Sequence, residues 1–188
     1  MSEYEILVEG LDSYTKSHSE RVSEYAVLLG KKVGLSNKEL ETLKIGALFH
    51  DIGKTKISNT ILQKNSKLTD EEYSEIKKHT FIGANLLENT SVPNSVIPII
   101  KYHHERYDGT GYPNNLSGEN IPYLARITAI ADCFDAMTSK RIYKSYMSID
   151  NIIDEFNKCK GTQFDPELTN AFIEILKNDY ESIKKIQK

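Results

Sequence analysis

Thiol chemistry has little material in this chain. Its 188 residues hold two cysteines, Cys133 and Cys159, with no Cys-x-x-Cys pair and no metal-finger spacing. That usage supports neither a disulfide framework nor a thiolate metal site, and it suits a reducing cytosol. No uninterrupted apolar run reaches transmembrane length, and the acidic N-terminus lacks the basic and apolar regions of a secretory signal, so a cytoplasmic protein without a membrane partner is expected. Neither sign of charge dominates: 24 basic and 27 acidic residues leave a net charge of −3, which gives no general pull toward a nucleic acid polymer or an anionic membrane. An anionic substrate would have to be drawn by local cations or by metal. No segment alternates apolar and polar residues as a half-buried strand does, and there is neither an internal repeat nor a low-complexity linker. A hydrophobic content of 39% and a charged content of 27% fit one well-packed globular domain.

What is present reads as helix nearly throughout. Val22, Tyr25, Ala26, Leu29 and Val33 recur at three- and four-residue steps, predicting a helix from near His18 to near Gly34. Ser36-Asn37-Lys38-Glu39 is a capping box that opens a helix through Leu40, Leu43, Ala47 and Leu48, ending at His50 and Asp51. Thr69-Asp70-Glu71-Glu72 repeats the signature and predicts one helix carrying Ile76, His79, Ile82, Gly83 and Leu86. Residues 95–104 read as helical with Pro98 in the first turns, and 105–122, rich in Gly, Asn and Pro, as a loop. Pro122 then starts a helix that sets Asp132 and Asp135 one turn apart. Residues 151–158 form a shorter helix, and Asp165-Pro166-Glu167 caps a last one running past Leu176 toward Lys184 and Lys185. The fold class is all-α.

All five histidines, His18, His50, His79, His103 and His104, stand in contexts that suit metal ligation. Neutral imidazole offers a ring-nitrogen lone pair at physiological pH. With Asp51 and Asp132 the donors total seven, too many for one four-coordinate zinc and about right for two ions with positions left for water and substrate. Imidazole and carboxylate without thiolate favour Fe, Mn, Co or Zn over Mg or Ca. Two such ions suit phosphodiester hydrolysis, because they acidify a bridging water and stabilise charge on the phosphoryl oxygens.

The ordered series His18-Ser-Glu-Arg21-Val22, His50-Asp51-x-x-Lys54, His79, His103-His104-Glu105, Gly111-Tyr112-Pro113 and Asp132-x-x-Asp135 resembles the HD-GYP subgroup of the HD phosphohydrolase superfamily, as does Gly161-Thr-Gln-Phe-Asp-Pro166. The resemblance implies a helical bundle of about five core helices, extended by C-terminal helices typical of the subgroup. The whole chain, 1–188, is then a single domain, with a metal-binding core over about 15–140, the loop at 105–122 and C-terminal helices over 141–188. It also implies hydrolysis of cyclic di-GMP to pGpG or GMP at an iron centre, with Mn, Co and Zn as alternatives. By position, His18, His50, Asp51 and Asp132 would hold one metal. His79, His103 and His104 would hold the second, with Asp51 bridging. Lys54 would position a phosphate or the bridging water, Tyr112 would lie beside the nucleotide, and Arg141 and Lys144 would hold phosphates. Three-metal members supply a glutamate where this chain has Tyr14, and a phenol is a poor ligand at neutral pH, so two metals are expected.

Other readings stay open at this point. The substrate could be another cyclic dinucleotide such as cyclic GMP-AMP, or the domain could be an inactive binding module. A homodimer or a sensory or receiver partner is compatible with what the family implies. Asp135 reads as a structural acid, Glu105 and Asp108 as holding the loop or orienting a histidine, and Tyr25 and Tyr73 as packing residues.

Overall fold

The computed structural model describes residues 13–88, 90–139 and 147–187. Among these the chain is all-α; the β pairing present is an isolated bridge between Lys160 and Phe164. The helices are α1 (Ser13–Lys32), α2 (Asn37–Phe49), α3 (Asn59–Leu62), α4 (Asp70–Lys77), α5 (His79–Leu87), α6 (Ile97–Tyr102), α7 (Tyr123–Thr138), α8 (Ile149–Cys159), α9 (Pro166–Asn178) and α10 (Tyr180–Ile186). No described helix is long and apolar enough to cross a membrane.

Local chemistry sets most boundaries. Both capping boxes form: the hydroxyls of Ser36 and Thr69 accept from the amides of Glu39 and Glu72, whose carboxylates accept the cap amides in return. Asp165 caps α9 by accepting from the amides of Glu167 and Leu168. Gly34, at φ +81, takes the left-handed turn that ends α1.

Two expected helices are interrupted. The one expected from Thr69 to Leu86 breaks at Lys78 into α4 and α5. The carbonyls of Ile76 and Lys77 accept side-chain bonds from the His79 ring and the Thr80 hydroxyl, so the turn there is not regular. The last helix stops at Asp179, which accepts from the amide and hydroxyl of Ser182 and begins α10.

Two apolar clusters carry the fold. The larger joins Val22, Tyr25 and Leu29 of α1 to Leu43 of α2, Ile127, Ile130 and Phe134 of α7, Phe156 of α8 and Phe172 of α9. Phe134 lies at its centre, edge-on to Tyr25 and Phe172 with ring centroids 4.9 and 5.1 Å away. The smaller contains Phe49, Ile52, Leu87, Val92, Val96 and Ile100. Each such side chain contributes about 1.5–3 kcal/mol on burial, which offsets the cost of the polar groups enclosed nearby. Tyr25 is a packing residue, as expected; Tyr73, by contrast, is 49% exposed.

Candidate metal centre

Elements from both clusters supply histidines that meet where the clusters adjoin. The His50 ring lies 5.2 Å from that of His18 and 5.0 Å from that of His103; His79 lies 5.4 Å from His103 and 5.1 Å from His104. His18 comes from α1, His50 and Asp51 from the end of α2, His79 from the start of α5, His103 and His104 from the end of α6, and Asp132 from α7.

The donors sort into two groups that share one residue. His18, His50 and Asp51 each offer an atom within 4.8 Å of the others', and so do Asp51, His79, His103 and His104. Asp51 faces both groups with different oxygens. Its Oδ2 is 3.4 Å from His50 Nε2 and 3.8 Å from His18 Nε2, while its Oδ1 is 3.4 Å from His79 Nε2. Asp132 Oδ1 lies beside the first group, 3.2 Å from His18 Nε2 and 3.9 Å from His50 Nε2. All seven residues expected to ligate metal are thus brought together.

Helix ends explain the orientation of three rings. The last carbonyls of a helix have no intrahelical amide to accept from. His50, His79 and His103 each place Nδ1 on such a carbonyl three residues back, at Ala47, Ile76 and Ile100, at 2.7, 2.7 and 2.8 Å. Nδ1 must carry the proton there, which leaves the Nε2 lone pair aimed inward as a metal ligand requires. His18 reaches the same result through Asp135, whose Oδ2 accepts from Nδ1 at 2.8 Å. Asp135 is held in turn by Arg21, through both Nε and a terminal nitrogen, and by the Ser139 hydroxyl. Sequence reading placed Arg21 in the motif without a role; the signal available was its position one helical turn after His18.

The electrostatics favour a cation. Burial works against the Asp51 carboxylate, but Lys54, whose Nζ is 2.5 Å from Oδ2, and the imidazoles of His50 and His79 outweigh it and hold the acid well below its usual range. Burial lowers His79 and His103 and brings His104 down to about 4, so these rings are neutral near pH 7 and their lone pairs are free to donate. At His18 burial is overcome by Asp132 and Asp135, and the ring rises to about 9, so a metal there would take the place of the Nε2 proton that faces Asp132. His50 Nε2 and Asp51 Oδ1 are buried without a hydrogen-bond partner. Orphaned atoms of this kind are costly, and a metal ion would satisfy both. The donor set therefore fits divalent metals.

A cleft of about 440 Å³ opens beside the second group, lined among others by Lys54, Tyr73, His104, Tyr112, Asp132 and Gln163. The 105–122 loop forms one wall. Glu105 holds it by accepting from the amides of Asn114 and Leu116, and the amides of Tyr107 and Asp108 bond the carbonyls of Gln163 and Thr162. The tie to residues 162–163 was not legible in the sequence. Gly111 lies so close to the chain before it that a methyl group there would sit 2.3 Å from the Arg106 amide nitrogen. That approach brings Tyr112 onto His104, stacked at 4.9 Å and 29°. Asp108 bonds Arg106 and Thr110 within the loop. Arg141, Lys144 and the side chain of Tyr14 lie outside the described residues.

His103→Ala should lose the metal of the second group along with turnover. Outer-shell changes alone cost about 10–100-fold at metal sites, so removing a ligand should exceed a hundredfold. His104→Ala should behave alike. Metal analysis beside a turnover assay checks this, and full metal content with normal activity in either variant would show the assignment wrong.

A family model described as "HD domain" matches residues 5–168. The cyclic di-GMP phosphodiesterase response regulator RpfG of Xanthomonas campestris is 38% identical over 169 residues, covering 88% of this chain and 44% of the relative. The 3'3'-cGAMP-specific phosphodiesterase 2 of Vibrio cholerae is 37% identical, covering 89% of this chain and 32% of the relative. The chain thus spans less than half the length of these relatives. Among solved structures, a cyclic GMP-AMP specific phosphodiesterase of V. cholerae (V-cGAP3) superposes with a TM-score of 0.75 at 19% identity, over 98% of this chain and 51% of that one.

Proposed function

This chain belongs to the HD-domain family and, within it, to the HD-GYP group, and from that premise we propose that it is a metal-dependent phosphodiesterase hydrolysing cyclic di-GMP to pGpG or GMP. The observation that carries the reading is Asp51, one carboxylate whose two oxygens face two separate groups of imidazoles at the edge of a cleft. On this reading His18, His50, Asp51 and Asp132 hold one divalent metal, and Asp51, His79, His103 and His104 hold the other. Iron is the proposed metal from the resemblance to the HD-GYP group, with Mn, Co and Zn as alternatives that the imidazole and carboxylate ligands fit equally well. Two such ions supply Lewis-acid stabilisation of the phosphoryl oxygens and lower the pKa of bound water.

The rest falls to the chain's own side chains. Asp51 keeps the two groups of ligands at one spacing and is itself held by Lys54. Lys54 is partly exposed, lines the cleft and offers its ammonium to a phosphate oxygen or to the bridging water. Tyr112 is fixed by His104 beneath it and lies beside the nucleotide, its phenol kept neutral because burial raises its pKa. Arg141 and Lys144 are proposed to hold phosphates, and 1–188 to form a single domain. A second reading, hydrolysis of cyclic GMP-AMP, is supported by three relatives named as 3'3'-cGAMP-specific phosphodiesterases.

The test is purification without oxygen, metal analysis, and turnover of cyclic di-GMP beside 3'3'-cyclic GMP-AMP. Two metals per chain are expected, and faster hydrolysis of cyclic di-GMP. A third, fully occupied ion in anomalous scattering would overturn the count, and failure to cleave either dinucleotide would overturn the function.

A further inference from the structure

Tyr73 was expected to pack, and it does not: it is 49% exposed on α4. Singly exposed aromatic residues are ordinary, and exposure alone means nothing. Its place is what differs. Among the described residues the large exposed apolar side chains are Tyr73, Phe81 and Tyr123, and of these Tyr73 lines the cleft. The other tyrosine of the cleft wall, Tyr112, has its ring occupied by stacking on His104. Lys77 lies over the Tyr73 ring, its Nζ 5.1 Å from the centroid. The open aromatic surface of the cleft therefore belongs to Tyr73, flanked by a cation and by the Ile76 side chain that shares the lining.

We infer that Tyr73 is a nucleobase platform, against which one base of the bound dinucleotide stacks while its phosphodiester lies at the metal ligands. The inference rests on the phosphodiesterase reading and adds a residue to it. Every nucleobase has a π-face, so such a platform contributes affinity with little dependence on which base is bound. Lys77 adds a cation–π contact that helps to hold the Tyr73 ring in place. Tyr73 is not one of the seven ligand residues and is 49% exposed, so its removal should leave the metals and the fold in place.

The chain contains no tryptophan, which makes the test direct. Tyr73→Trp keeps a stacking surface and introduces the chain's single indole. Its emission should be quenched saturably as cyclic di-GMP is added. Tyr73→Ala, in which alanine also favours the helix, should raise KM about ten- to a hundredfold with kcat and metal content unchanged. Tyr73→Phe should stay near wild type, since the ring matters and the hydroxyl does not. An unchanged KM in Tyr73→Ala would overturn the platform and leave the phosphodiesterase reading standing. Should the wild type cleave no cyclic dinucleotide, that reading falls and the indole still decides: flat emission overturns the platform, and saturable quenching upholds it as a binding surface.

Discussion

Asp51→Asn should abolish turnover, by about a thousandfold or more, while leaving the helical fold intact. The carboxylate presents Oδ1 to His79 and Oδ2 to His50 and His18, all between 3.4 and 3.8 Å. An amide of nearly the same shape keeps one weak donor oxygen, loses the charge, and turns an NH₂ group toward one set of imidazoles. Removing a group that assembles a catalytic centre costs more than removing one that contacts substrate, because all the chemistry depends on the spacing it sets. The alternative role for Asp51 predicts a different pattern. As the buried partner of Lys54 at the N-cap of the short helix Ile52–Lys56, a merely structural Asp51 would lose stability on neutralisation and leave metal content and turnover near wild type. Metal analysis, circular dichroism and a turnover assay separate the two. An active Asp51→Asn protein with two metals would remove the central residue from the proposed site.

Gly53→Ala should destabilise the protein by about 3 kcal/mol or more, although one methyl group is all it adds. That methyl would lie 2.0 Å from the His79 carbonyl oxygen and 2.7 Å from the Gly83 amide nitrogen. Both are backbone atoms and cannot rotate aside, so the short helix Ile52–Lys56 must back away from α5. Overpacking in a well-packed interior costs about 1–3 kcal/mol when side chains can yield, and more when they cannot. For a chain of this size the loss corresponds to a fall in Tm of about 6–12 °C. The same displacement would move Asp51 away from His79, so metal in the second group should weaken even where the protein stays folded. An unchanged Tm together with full metal content would show that the close approach is not what seats Asp51.

Much of the fold was legible because its causes are local. The capping boxes at Ser36 and Thr69, the Asp165 cap and the apolar stripe of α1 depend on residues within a turn or two of one another, and each forms. The misjudged boundary at Lys78 is one where side chains take backbone groups, as His79 and Thr80 do with the carbonyls of Ile76 and Lys77. Spacing of apolar residues carries no trace of that competition.

For the site, the sequence by itself determined the inventory: five imidazoles and two carboxylates without thiolate, a lysine one turn after Asp51, and a loop rich in glycine. Residue type settles donor chemistry, which is why this much needed no coordinates. Only the tertiary structure decided the partition. It divided the donors into two groups, gave Asp51 to both, turned Nε2 of four histidines inward by occupying Nδ1 with helix-end carbonyls or with Asp135, and put Tyr73 at the cleft instead of in the core. Each of these depends on where one helix end meets another across a long stretch of chain. Such meetings are fixed by close approaches like that of Gly53 to His79, which reflect packing of the whole molecule.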